Sequence, residues 1–144
     1  MAGVRRSGVL AWLYLMRVYD KLQHRSSQHL AQYNLTPAQF DVLAQLKLTD
    51  RISQQALAER LLVTKGNVCG LIDRMSSRGL VERQSDPKDA RVNLLCLTDK
   101  GRALAEEVVP AHETFMHEQM DTLNLEEQRT LQGLLRQLDL SLRA

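Results

Sequence analysis

The 144-residue sequence predicts a mainly α-helical protein with one small β-hairpin, and three observations predict it. Apolar residues recur at three- and four-residue steps through both ends of the chain. Residues 53–79 hold two short helical patterns, each with its own start signal, the second closed by Gly79. Residues 80–97 are two β-rich runs separated by the charged stretch "SDPKDA".

Taken in order, residues 9–33 read as one long helix. Leu15, Val18 and Leu22 fall on one side of it and Trp12, Met16 and Tyr19 on another, so it is expected to be wedged between neighbours. Arg5 and Arg6 before the apolar run Val9–Met16 give a faint likeness to a secretory leader. The run is short, Arg17 closes it and no small-residue cleavage site follows, so it is read as the start of a buried helix that does not span a membrane. In "LTPAQFDVLAQL", Thr36 can cap, Pro37 suits the first helical position and Gln39 completes a capping box, with Phe40, Leu43 and Leu46 facing inward. Ser53 can cap a short helix through about Leu61, carrying Leu57 and Leu61 inward. Thr64 can cap a second helix to about Arg78, with Val68, Leu71, Ile72 and Met75 on one face. Gly79 sits where a left-handed stop is wanted, and Leu80 can fold back on the last turn. Two short helices joined by about three residues have helix-turn-helix spacing.

Leu80–Arg83 and Val92–Leu97 read as strands, and a hairpin directly after the second helix is a wing. Thr98 can cap a long helix to about Thr122, packing through Leu104, Val108, Phe115 and Met116, with a kink or break expected at Pro110. Asn124 and Glu127 start a last helix whose Leu131, Leu135, Leu138 and Leu142 form a seam. The expected organisation is a winged helix-turn-helix DNA-binding domain at 35–100, flanked by dimerisation helices at 1–34 and 101–144. An intramolecular bundle of the end helices is the alternative.

Charge is distributed unevenly. Residues 1–46 carry a net +3, residues 47–102 a net +4 and residues 103–144 a net −5, so the middle is suited to a polyanion. Aromatics at 4% exclude large stacking platforms for single strands. Cys69 and Cys96 make no disulfide framework, which fits a reducing cytoplasm. His24 and His29, and His112 and His117, are five apart, where a helical zinc pair needs four, so no metal is expected. Without a phosphate loop, nucleophile elbow or carboxylate pair, neither an enzyme nor a cofactor is expected.

With the apolar face of the second helix inward, Lys65, Gly66, Asn67, Gly70 and Arg74 lie outward. Gly66 and Gly70 each cost roughly 1 kcal/mol of helix stability, which makes sense if the helix must approach another surface closely. Asn67 can read an adenine edge, Lys65 a guanine or phosphate, and Arg74 a phosphate. Ser53 and Gln55, at the start of the preceding helix, complete the DNA-facing set. At the wing tip Lys88 or Arg91 can enter a minor groove, oriented by Asp86 and Asp89, with Pro87 stiffening the turn.

The start "LTPAQFDVLAQL", the recognition-helix start T-K-G-N-V at 64–68, the wing D-P-x-D-x-R at 86–91 and the following L-x-L-T-x-x-G at 95–101 resemble the MarR family of winged helix-turn-helix transcription regulators nearly end to end. The resemblance implies a homodimer on a pseudopalindromic operator in double-stranded DNA, released by a small aromatic acid or an oxidant. It places Thr64, Lys65 and Asn67 in the recognition helix and Asp89 and Arg91 in the wing pair. Lys88 stands where the family often has arginine. A small-molecule effector, aromatic or phenolic, is expected near Trp12, Met16, Phe40, His112 and Phe115. Two other readings stand beside this one: a winged helix used for protein interaction, and a thiol-responsive regulator using Cys69. The peroxide-sensing branch carries its cysteine in the first helix, where this chain has none.

Overall fold

The computed structural model describes residues 2–61 and 67–142, and side chains from Arg6 onward within them. In chain order the elements are α1 (Ala2–Ala31), α2 (Pro37–Leu48), β1 (Ile52–Ser53), α3 (Gln54–Arg60), α4 (Val68–Ser77), β2 (Val81–Asp86), β3 (Asp89–Leu97), α5 (Asp99–Glu118) and α6 (Leu125–Ser141). The strands form one antiparallel sheet in the order β1-β3-β2. The chain falls into two compact units, Met1–His112 and Glu113–Ala144.

In the first unit the local signals decide where helices start and stop. Thr36 and Gln39 close the capping box on α2: the Gln39 amide donates to Thr36 Oγ1 at 3.2 Å and the Thr36 amide to Gln39 Oε1 at 3.1 Å. Helix α4 ends at Gly79, φ 72°, with the Leu80 amide bonded to the Met75 carbonyl at 3.0 Å and the Gly79 amide to Ser76 at 2.9 Å. This two-bond stop buries Leu80 against the last turn, as its position predicts. Helix α1 ends the same way on Asn34, φ 58°, which buries Leu35. The core gathers Leu30, Leu43, Leu46, Leu57, Ile72, Met75, Leu95 and Val108, all fully buried.

Thr98 links the sheet to α5. Its Oγ1 accepts the Gly101 amide at 3.0 Å while its hydroxyl donates to the Gly79 carbonyl at 2.6 Å, and its own amide bonds Leu80 O at 3.1 Å. A Cβ on Gly101 would lie 1.9 Å from Leu80 O, so only glycine lets the first turn of α5 sit on that backbone.

Several expectations are corrected. The hairpin is longer than Leu80–Arg83 with Val92–Leu97, because β2 reaches Asp86, β3 begins at Asp89, and only Pro87 and Lys88 turn between them. The register jumps from Ser85↔Asn93 to Asp86↔Asp89, which leaves Ala90, Arg91 and Val92 bulged out of the pairing. Strand β1, two residues long, pairs Ile52 with Leu95 and has no expected counterpart. Helix α1 is not wedged between neighbours within this chain. Every side chain from Arg6 to Lys21 is exposed and the helix enters the core only near its end, at Leu30, since its roughly 45 Å length at 1.5 Å per residue outruns the core. Helix α5 runs unbroken through Pro110, whose missing amide removes one bond on an exposed side while Val108, Val109 and His112 stay buried around it. It ends at Glu118 rather than near Thr122, where the Gln119 amide tightens onto Phe115 and Met116. The predicted helix start at Thr64 and the turn before it lie outside the described residues. The described helix takes Asn67 as its N-cap.

In the second unit, Asn124 and Glu127 form the expected capping box of α6. None of α6 is buried. Leu123, Leu131 and Leu134 line an open apolar groove edged by Glu126, Glu127 and Thr130. Among the described residues no helix is long and apolar enough to cross a membrane.

Candidate nucleic-acid interface

Helix α4 buries Val68, Leu71, Ile72 and Met75 and leaves Asn67, Cys69, Asp73, Arg74 and Ser77 exposed. Thr64, Lys65 and Gly66 lie outside the described residues. Asn67 is occupied as a cap, its Oδ1 accepting the Gly70 amide at 2.8 Å. A Cβ on Gly70 would lie 2.5 Å from Asn67 Nδ2, so this glycine makes room for the cap. Ser53 likewise caps α3, its Oγ accepting the Ala56 amide at 3.1 Å, and Gln55 beside it is exposed. The structure thus puts two of the polar residues picked from the sequence to work as helix caps, with Arg74 and Gln55 exposed nearby on their own helices.

The hairpin tip is more ordered than a solvated loop requires. Asp86 Oδ1 accepts the Lys88 amide at 2.9 Å, which closes the turn over Pro87. Asp89 grips Arg91 through three bonds: Oδ1 accepts the Arg91 amide at 3.0 Å and Nε at 3.1 Å, and Oδ2 accepts an Arg91 terminal nitrogen at 3.2 Å. The Arg91 side chain is nevertheless 91% exposed. The Arg91 guanidinium, then its backbone amide, hold the Asp89 carboxyl below its ordinary value, so the clamp is charged at neutral pH. Of the two acids expected to orient the arginine, Asp89 holds Arg91 while Asp86 holds the backbone of Lys88. The bulge at Ala90–Val92 is what lets Arg91 fold back on Asp89 two residues earlier.

Of the expected effector residues, Phe40 and His112 come together, with ring centroids 4.5 Å apart in an edge-on contact. His112 is 1% exposed. It stacks on His29 at 5.0 Å, shares a 2.8 Å Nδ1–Nδ1 hydrogen bond with it, and has Ser26 Oγ 3.0 Å from its Nε2. Burial, then the neighbouring His29, push the His112 pKa down to about 4, so it is neutral at physiological pH. Trp12 (63% exposed) and Met16 lie on the open part of α1, and Phe115 belongs to the second unit. Ser26 was not singled out from the sequence and His29 was weighed only as half of a metal pair, because their partner is more than 80 residues away, beyond any helical spacing. Asp73 and Arg83, bonded at 2.7 Å, were missed for the same kind of reason: the pair joins a helix to a strand.

Cys69 is exposed on α4. Cys96 is buried, with its Sγ 3.5 Å from Glu82 Oε1, and burial followed by Glu82 raises its thiol pKa, which keeps it protonated and unreactive.

Residues 33–92 match a sequence profile described as the MarR family. An HTH-type transcriptional regulator of Bacillus cereus is 34% identical over 129 residues, covering 89% of this chain and 86% of that protein. The crystal structure of a cysteine-to-serine mutant of E. coli MarR complexed with operator DNA superposes with a TM-score of 0.82 at 28% identity, covering 92% of this chain and 96% of that one. Bordetella bronchiseptica BpsR, in a structure concerned with regulation of its DNA binding by 6-hydroxynicotinic acid, gives 0.79 at 32% identity, over 88% and 90%.

Proposed function

The chain belongs to the MarR family of DNA-binding transcriptional regulators, and from that premise we propose that it is a homodimeric repressor of a pseudopalindromic operator. Helix α4, with its cap Asn67 and with Arg74, enters the major groove, where Thr64, Lys65 and Gly66, just before it in the sequence, also contact DNA. Ser53 and Gln55 approach the backbone beside it, and Lys88, Asp89 and Arg91 reach the adjacent minor groove. The Asp89–Arg91 clamp carries this reading: an arginine whose guanidinium is held by two bonds and whose backbone amide by a third, yet whose side chain is turned to solvent, is a cation fixed in advance for a narrow, negative groove.

A dimer is supported by the apolar side chains that this single chain leaves in water, among them Leu10, Trp12, Leu13 and Tyr14 on α1 and Leu134, Leu138 and Leu142 at the other end. A small aromatic acid, of the kind named for BpsR, would bind near Phe40 and His112 and favour a lobe spacing that no longer fits the half-sites. The protein acts in the cytoplasm, without a cofactor.

Gel-shift with the DNA upstream of the chain's own gene tests the reading. Affinity should fall with salt at a slope of about −0.9 per phosphate contact. Arg91→Ala should weaken binding to all sequences and Asn67→Ala should relax sequence preference. If both variants bound like wild type at physiological salt, the residue assignments would be withdrawn.

A further inference from the structure

Among the exposed, described residues of α4, Asp73 is the one carboxylate. A negative charge on a face meant for DNA repels phosphates, so its presence needs a reason. Its partner is Arg83 on β2, whose terminal nitrogen donates to Asp73 Oδ1 at 2.7 Å, with the Arg83 side chain 29% and the Asp73 side chain 60% exposed. The bond crosses from the helix to the hairpin at a particular height. Arg83 pairs with Leu95 of β3, and Leu95 is also where β1 reaches, through Ile52. From Ser85 outward the ribbon has only two strands and then the bulge, and a two-stranded ribbon in water is marginal alone. The ion pair therefore sits where the sheet is still three strands wide, one residue short of its outer limit at Gln84, Leu94 and Ser53.

We infer that Asp73 and Arg83 are a positioning pair, which sets the angle between α4 and the hairpin so that both reach one duplex together. This inference rests on the proposed DNA reading of α4 and the wing. Neither residue is assigned a base or a phosphate. Arg83 neutralises the carboxylate, and the carboxylate in turn anchors the hairpin base. An exposed pair of this kind adds little to folding, because solvent screens it and both side chains lose freedom. Its effect is expected in binding, where a ribbon free to swing must be ordered on DNA.

The test uses full-length protein and a duplex selected from a random pool by the wild type. Arg83→Gln and Asp73→Asn should each weaken binding by about fivefold or more, the lower end of ordinary site-to-site coupling. Their melting temperatures should match wild type. The salt slope should stay the same, since no phosphate contact is lost, whereas a lost contact would reduce it by about 0.9. The exchanged pair, Asp73→Arg with Arg83→Asp, should recover most of the affinity. Three results would overturn the inference: Asp73→Asn binding as tightly as wild type or tighter, a shallower slope in Arg83→Gln, or no recovery in the exchanged pair. A wild type that enriches no duplex would remove the DNA reading itself, and is distinct from all three.

Discussion

At the scale of single residues, three side chains or their absence do separable jobs. Gly101 is a steric necessity: with Leu80 O 1.9 Å from a would-be Cβ, Gly101→Ala must push α5 off the sheet. Backbone cannot yield as a side chain tip can, so a loss of about 3 kcal/mol is expected in urea unfolding, the upper end of ordinary overpacking. On the proposed reading Arg91 serves binding, and Asp89→Asn should lower affinity for every duplex with the melting temperature unchanged, because the clamp is solvent-exposed and screened. His112 acts through protonation. Its pKa is lowered from 6.5 to about 4, so the native state resists a proton that the unfolded chain accepts. Stability is therefore full above pH 6.5 and is lost as pH falls toward 4, by about 3 kcal/mol at the limit. The groups around this ring are His29 and Ser26 from α1 and Phe40 from α2. Denaturant titrations at pH 7 and pH 4.5 should show this fall in wild type and a smaller one in His112→Gln. The need for Thr98 and Gly101 was legible as a motif, but its cause, the approach to Leu80, was not, since it depends on a backbone about 20 residues earlier.

At the scale of elements, helices were read well because their ends are written locally: Thr36 with Gln39, Ser53, Gly79, and Asn124 with Glu127 are each completed within a few residues. Strands were read less well. Two-residue β1 is too short to show alternation, and the bulge at Ala90–Val92 breaks the period on which the hairpin was judged. Of the candidate site, the wing clamp was legible because Asp89 and Arg91 are near neighbours, while Asp73 with Arg83 and His29 with His112 needed the fold. Helix α4 offers a test of competing local effects. Gly70→Ala gains helix propensity of about 1 kcal/mol but displaces the Asn67 cap, which is worth about the same. Net stability should move by less than about 0.5 kcal/mol in thermal melts, while DNA affinity drops because the cap and the close approach go together. A variant melting well above wild type would show that Asn67 contributes nothing as a cap.

At the scale of the whole molecule, the proposed dimer would cover the apolar surface that this chain leaves exposed on α1 and α6. Introducing charge with Leu135→Glu and Leu138→Glu should shift sedimentation toward the monomer. Operator affinity should fall by about 100-fold, since the second lobe no longer binds as a tethered neighbour. An unchanged sedimentation profile would move the interface elsewhere. The seam around Leu80 has a mechanical meaning in such an assembly. The Leu80 carbonyl receives the Thr98 amide and seats Gly101, and Lys100 Nζ reaches back to the Arg78 carbonyl at 2.9 Å. The last turn of α4 and the first turn of α5 are in effect bolted to one plate. In the proposed dimer, any rocking of α5 should pass to α4 without backlash, with the long helix as a tiller for the short one.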